Sequence, residues 1–226
     1  MPKTVYDPHD ADQFGNHDAN LRFLSATGLL RQGARVLEIG SGRGTLLHHL
    51  REHGVNTVGI EPSGTLAREA RARHGSLPLA RMSGARLGFA DAAFDVVLSF
   101  DVFEHIADSD GHLAEVRRVL APGGAYALQT PSKWTNAVFE TIRWRSFTAW
   151  KADHCALHSM RELRVRFGAH GFDTTFADVP VVNEFYRQKL RRYLGPAGPA
   201  VLGIVNPDRW PLPLRTNFFV VARRRG

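Results

Sequence analysis

The stretch Val36-Leu37-Glu38-Ile39-Gly40-Ser41-Gly42-Arg43-Gly44 decides the fold. Residues 35–39 read as a buried strand and three alternate glycines as a tight turn, and residues 45–53 then take up a helical apolar pattern closed by Gly54. A strand that enters a helix through bare backbone lets a ligand lie against the chain, where side chains would block it. The spacing is GxGxG. The dinucleotide fingerprint wants a further glycine or alanine one place later, where Thr45 stands. Glu38 is awkward beside a phosphate and suits an ammonium group or a bound water. Outward from the loop, residues 55–60 form a second strand, and Glu61 ends it 17 residues after Gly44. A carboxylate there can accept both hydroxyls of a ribose. A nucleoside with an amino-acid tail meets these conditions better than a dinucleotide does.

The alternation continues along the chain. Helices are expected at 16–31, 63–74, 108–120 and 159–170, and strands at 77–81, 94–100, 125–129, 172–179 and 217–222. Apolar runs alternating with helical patterns predict an α/β fold, a mostly parallel sheet covered by helices, in a single domain over residues 1–226. Two stretches break the pattern. Residues 131–158 hold three of the four tryptophans, Trp134, Trp144 and Trp150, and residues 183–214 are rich in proline. Both follow strands of the sheet's second half, where insertions can cover the ligand-binding edge, so they read as a substrate cap. The plainer alternative is that the aromatics pack the inserts onto the core.

Composition bounds the rest. The polar N-terminus lacks a secretory pattern, no apolar run is long enough to span a bilayer, and the single cysteine, Cys155, allows no intrachain disulfide. A cytoplasmic protein, not an integral membrane one, is the expectation. The net charge is +7, and residues 187–226 alone carry +8. Such a segment can attract acidic partners or simply form a solvated face. Residues 185–194 also have the pattern of a basic amphipathic helix, for which packing on the core and contact with a lipid surface are both open.

The loop VLEIGSGRG, the run GIEPS, the segment FDVVLSFDVFEHI and the run EVRRVLAPGGAYALQTPS together resemble the class I S-adenosylmethionine-dependent methyltransferases, over most of residues 35–179. The resemblance implies a Rossmann-like three-layer sandwich with a seven-stranded sheet whose last strand is antiparallel. It implies that Glu38, Gly40, Ser41, Gly42 and Gly44 line the methionine moiety, that Glu61 holds the ribose, and that Pro62 lies beside the adenine. Phe100, ending the fourth strand, is a further cofactor-side candidate. Relatives often carry an Asp before the fourth strand that accepts from the adenine amino group. Here Ser83 stands there beside Met82, which leaves adenine recognition to backbone groups and to packing by Met82.

After the fourth strand comes Asp101-Val102-Phe103-Glu104-His105. On a helical turn Asp101, Glu104 and His105 would share one face, a reasonable set for a divalent cation such as Mg²⁺, with His154 or His158 as a fourth ligand. Ubiquinone-biosynthesis O-methyltransferases and the enzymes that methylate the terminal 2′-hydroxyl of small RNAs have a similar acid-x-x-Glu-His turn, and the RNA enzymes add an Asp-His pair similar to Asp153-His154. Those families begin the turn with Glu, and Asp101 is one methylene shorter. The metal-free alternatives give His105 a substrate-facing or a structural role. His105 and His154 are then the candidate general bases.

The expected function is methyl transfer to a hydroxyl of a small-molecule acceptor. An RNA-end 2′-O-methyltransferase, a non-catalytic scaffold on the cofactor fold and a nicotinamide oxidoreductase are the competing readings. No RNA-binding module is visible, so nucleic acid is the less favoured partner. The oligomeric state stays open, a homodimer among the options.

Overall fold

In the computed structural model, residues 17–148 and 154–226 are described, with side chains for all of these except 142–144, 185, 189, 193, 194 and 199. Trp150 and Asp153 lie outside the described residues. The elements in chain order are α1 (His17–Thr27), β1 (Arg35–Ile39), α2 (Thr45–Glu52), β2 (Asn56–Ile60), α3 (Gly64–His74), β3 (Leu79–Ala80) and β4 (Phe94–Phe100). They continue with α4 (Ser109–Val119), β5 (Leu120–Pro131), α5 (Lys133–Trp144), α6 (Met160–Ala169), β6 (Phe172–Ala177), α7 (Glu184–Leu194), α8 (Gly198–Ile204) and β7 (Asn217–Arg224).

The strands form one seven-stranded sheet in the order β3-β2-β1-β4-β5-β7-β6. β1 pairs in parallel with β2 and β4, and β4 with β5, whereas β7 lies antiparallel to both β5 and β6. The Rossmann-like topology expected from the sequence is present. The order reverses at β1, so the carboxyl ends of β1 and β4 flank the crevice where open α/β sheets bind ligands.

Strand periodicity builds the layers. In β4, Val97 faces one core while Val96 and Leu98 face the other, and in β5 Tyr126 and Leu128 oppose Ala125 and Ala127. The second core is closed by α1, whose buried Phe23 packs at 5.3 Å from Phe219 and edge-on at 6.3 Å from Phe100. α6 begins with a capping box, in which Ser159 Oγ accepts from Glu162 N and Glu162 Oε2 accepts from Ser159 N.

Several boundaries move. β3 shrinks to Leu79–Ala80, and β6 stops at Ala177. β5 starts at Leu120, before the Pro122-Gly123-Gly124 turn that the sequence places ahead of it. Leu120 already pairs with Phe94, and the next pair is Val96 with Ala125, so the turn is a bulge inside the ladder. Gly124 is required there, because a Cβ would lie 2.8 Å from Ala121 O and 2.9 Å from Asp95 O.

Three cations of the C-terminal basic segment are tied into the fold. Arg215 is buried and bonds Trp210 O and Asp178, Arg224 donates to Leu120 O, and Arg225 pairs with Asp173 at 2.8 Å. No helix among the described residues is long and apolar enough to cross a membrane.

Candidate active site

The glycine loop rises from the carboxyl end of β1. Gly40, Gly42 and Gly44 all have positive φ, at 75°, 52° and 74°, a region that ordinary side chains disfavour. Space adds to the demand at two of them. A Cβ on Gly40 would meet Val102 Cγ2 at 2.3 Å, and one on Gly44 would meet Leu77 Cδ1 at 2.6 Å. The first contact ties the loop directly to the turn after β4. The backbone N–H groups of Gly40 and Ser41 donate to Ile60 O at 2.9 and 3.0 Å, which fixes the loop against β2. Gly59 makes this fit possible, since a Cβ there would lie 2.3 Å from Ser41 Oγ. In sequence its one mark is that a glycine inside a strand signals close backbone approach.

Two acids line the loop. Glu61 is buried, and its carboxylate accepts from Gly42 N at 3.0 Å through Oε2 and from Ser63 N at 2.8 Å through Oε1. Each oxygen keeps a lone-pair site for a further donor. Glu38 is 5% exposed, and its Oε2 has no hydrogen-bond partner. Burial pushes its carboxyl up to about 7, with a Ser41 hydrogen bond opposing and the Glu61 charge adding to the rise. A buried acid with an unsatisfied oxygen beside a bare-backbone cradle fits a ligand that brings a cation. These residues therefore fit S-adenosylmethionine.

On the far side of β2, Pro62 is exposed, and Met82 N donates to Glu61 O at 3.3 Å. Met82 packs partly on the first core, and its Sδ accepts from Gly88 N at 3.2 Å. Ser83 is exposed and its Oγ accepts from Ala85 N, closing its own turn. The Phe100 ring packs against Phe23 in the second core, so its contact is with the α1 layer.

The turn after β4 departs from the metal expectation. Residues Phe103–His105 form a 3-10 turn, and Asp101 has φ 52°. The shared helical face is therefore not built. Glu104 turns inward, 1% exposed, where its Oε2 accepts from Thr130 Oγ1 at 3.1 Å, while Asp101 and His105 are exposed. Among the described residues no group of three or more His, Cys, Asp or Glu side chains is arranged to hold a metal ion. His154 does come to this turn, with its ring 5.1 Å from that of His105. His158 also reaches this turn but on its buried side, with its ring 5.4 Å from that of Phe103.

Residues from β5 and α5 complete this wall. Asp101 N donates to Gln129, whose Nε2 bonds Asn217, and Ala156 N donates to Glu104 O at 2.9 Å. Asn136 Oδ1 lies 3.2 Å from His154 Nδ1. With Nδ1–H donated there, Nε2 is the basic nitrogen of His154. Gln129, Thr130 and Asn136 carry no local sequence signal, because their roles come from pairing across the sheet edge.

A profile described as a methyltransferase domain matches residues 10–175. The chain belongs to the methyltransferase domain family. It is 29% identical over 133 residues to a ubiquinone biosynthesis O-methyltransferase of Rhizobium rhizogenes, covering 57% of this chain and 51% of that protein. It is 31% identical over 119 residues to a demethylmenaquinone methyltransferase of Beutenbergia cavernae, covering 53% and 46%. The chain thus spans about half the length of the curated relatives it matches. Among solved structures, the magnesium protoporphyrin IX methyltransferase of Synechocystis with bound SAH shares the fold at a TM-score of 0.60 and 20% identity, covering 92% of this chain and 81% of that one.

Proposed function

We propose that this protein transfers a methyl group from S-adenosylmethionine to a hydroxyl oxygen of a small-molecule acceptor. The observation that carries the reading is the unpartnered Oε2 of buried Glu38, set in a loop whose glycine backbone touches the turn bearing His105. When bound, S-adenosylmethionine supplies an activated methyl group on a sulfonium. Glu38 and the loop backbone receive the amino-acid end. Glu61 receives the ribose, and Met82 with the backbone at Ser83 flanks the adenine.

The protein's remaining tasks are to orient the acceptor and to remove its proton. Orientation supplies much of the rate, because attack must come from directly behind the carbon. His154 Nε2 takes the hydroxyl proton, its tautomer set by Asn136, and His105 lines the same wall. Residues 131–158 and 183–214 serve as the cap that holds the acceptor and limits water. The relative named as a ubiquinone biosynthesis O-methyltransferase favours an oxygen acceptor as the first class to test.

The test is methyl transfer from labelled S-adenosylmethionine to phenols, catechols and sugars, with and without His154→Ala. The variant is expected to lose about 10²- to 10⁴-fold in kcat while binding S-adenosylhomocysteine as the wild type does. Unchanged kcat would remove the base assignment. Absence of S-adenosylhomocysteine binding by the wild type would overturn the cofactor reading itself.

A further inference from the structure

A second polar constellation lies in the core, beneath the site. His112, in the first turn of α4, is 0% exposed. Its Nδ1 lies 2.7 Å from Gly84 O and its Nε2 3.0 Å from Tyr126 OH, which lies 2.6 Å from Ser99 Oγ. A carbonyl oxygen can only accept, so Nδ1 carries the proton. Nε2 then accepts from Tyr126, and Tyr126 accepts from Ser99. Burial holds the His112 imidazole down to about 4 and raises the Tyr126 phenol, so both stay neutral and the order of donors is fixed.

The end of this chain is a backbone carbonyl of the segment that carries Met82 and Ser83. Gly84 is tightly seated: a Cβ would lie 2.9 Å from Ile39 Cγ2, which would have to shift, and 3.4 Å from Ile106 Cδ1. Ile39 precedes the glycine loop, and Ile106 follows His105. Two more α4 residues hold the same segment further along. Glu115 Oε2 accepts from Leu87 N at 2.8 Å, and Arg118 donates to Leu87 O and Phe89 O. His112, Glu115 and Arg118 recur at helical spacing, so one face of α4 clamps residues 84–89. His112 is the member that joins the clamp to the sheet.

We infer that His112, locked by Tyr126 and Ser99, is a positioning residue that sets the nucleoside end of the cofactor site through the Gly84 carbonyl. This rests on the proposed cofactor reading. With Ser83 closing its own turn, recognition on this flank falls to the segment's backbone, and backbone placement is what His112 controls.

Two substitutions separate positioning from packing. His112→Asn keeps a donor near Nδ1 for Gly84 and loses the Tyr126 bond. His112→Gln keeps an acceptor near Nε2 for Tyr126 and loses the Gly84 bond. Calorimetry with S-adenosylhomocysteine and with 5′-methylthioadenosine is expected to show about tenfold weaker binding of both ligands by His112→Gln and a change of about threefold or less for His112→Asn. Thermal stability should fall comparably in the two, and kcat at saturating cofactor should stay within about threefold. Tyr126→Phe, which keeps the ring in the core, should weaken binding about threefold. Equal losses in the Asn and Gln proteins, or none in either, overturn the inference. If both fail to fold, Tyr126→Phe with wild-type affinity overturns it. A wild type that binds neither ligand overturns the cofactor reading and this inference together.

Discussion

The loop at residues 40–44 and the wall built from residues 101–105, Thr130, Asn136 and His154 meet where Gly40 abuts Val102 but are specified in different ways. In the loop, backbone geometry decides: positive φ angles, a Cβ-free approach to Val102, and N–H groups pinned to β2. In the wall, side chains decide, through pairs such as Thr130 with Glu104 and Asn136 with His154 that join distant parts of the chain. A cradle made of backbone tolerates almost no substitution. A wall made of side chains can be rebuilt for another acceptor while the cradle stays the same.

The sharpest way to break this contrast is Gly40→Ala. The new Cβ would overlap Val102 and hold a disfavoured φ, so S-adenosylhomocysteine binding is expected to weaken by about 100-fold or more, with about 1–3 kcal/mol of strain. Calorimetric affinity within a few-fold of wild type would refute the steric account. Next, Glu61→Ala removes the acceptor for Gly42 N and Ser63 N and is expected to cost about 2–3 kcal/mol in ligand affinity, or about 30- to 150-fold. A titration showing a loss under threefold would mean that Glu61 only closes the empty loop.

Glu38 gives a pH signature of intermediate size. Its folded-state value, raised to about 7 from 4.5, means the folded chain holds a proton that the unfolded chain has released. Its contribution is therefore most favourable below about pH 4.5 and declines as pH rises through 7, by about 3 kcal/mol in all. A ligand ammonium favours the ionised form. S-adenosylhomocysteine should then bind about tenfold more tightly at pH 8 than at pH 6, with proton release visible in buffers of different ionisation enthalpy. Glu38→Gln should abolish the pH dependence, and a flat wild-type profile would separate Glu38 from the ligand's cation. The smallest effect is expected in the wall. Trp134 is 60% exposed, so Trp134→Ala should change stability by less than about 0.5 kcal/mol and leave S-adenosylhomocysteine affinity alone. A rise in acceptor KM from the same variant would sharpen the assignment of residues 131–158 as a cap.

The contrast also explains what could be read in advance. β4 has the bounds that its apolar run implies, α6 falls within the helix expected at 159–170, and the glycines mark their own positions, because each of these signals is local. The proposed metal set was not legible in the same way. Asp101, Glu104 and His105 share a face only on an α-helical turn, and the choice of a 3-10 turn with Glu104 inward depends on Thr130, which lies in another strand. The early start of β5 likewise depends on Phe94 as a partner across the sheet. His112 would pass for an ordinary helix residue until Gly84 and Tyr126 are brought to it.

The position of β7 has a consequence for how the chain is made. It is the last strand in chain order, yet it lies between β5 and β6 and supplies the ladder partners of both. As the polypeptide leaves the ribosome, β1 to β5 can assemble with their helices, while β6 waits with both edges open. That interval exposes the Phe172–Ala177 strand to pairing with a neighbouring nascent chain. The arrival of Asn217–Arg224 narrows the exposure in one step, covering the free edge of β5 and one edge of Phe172–Ala177, whose other edge stays at the border of the sheet.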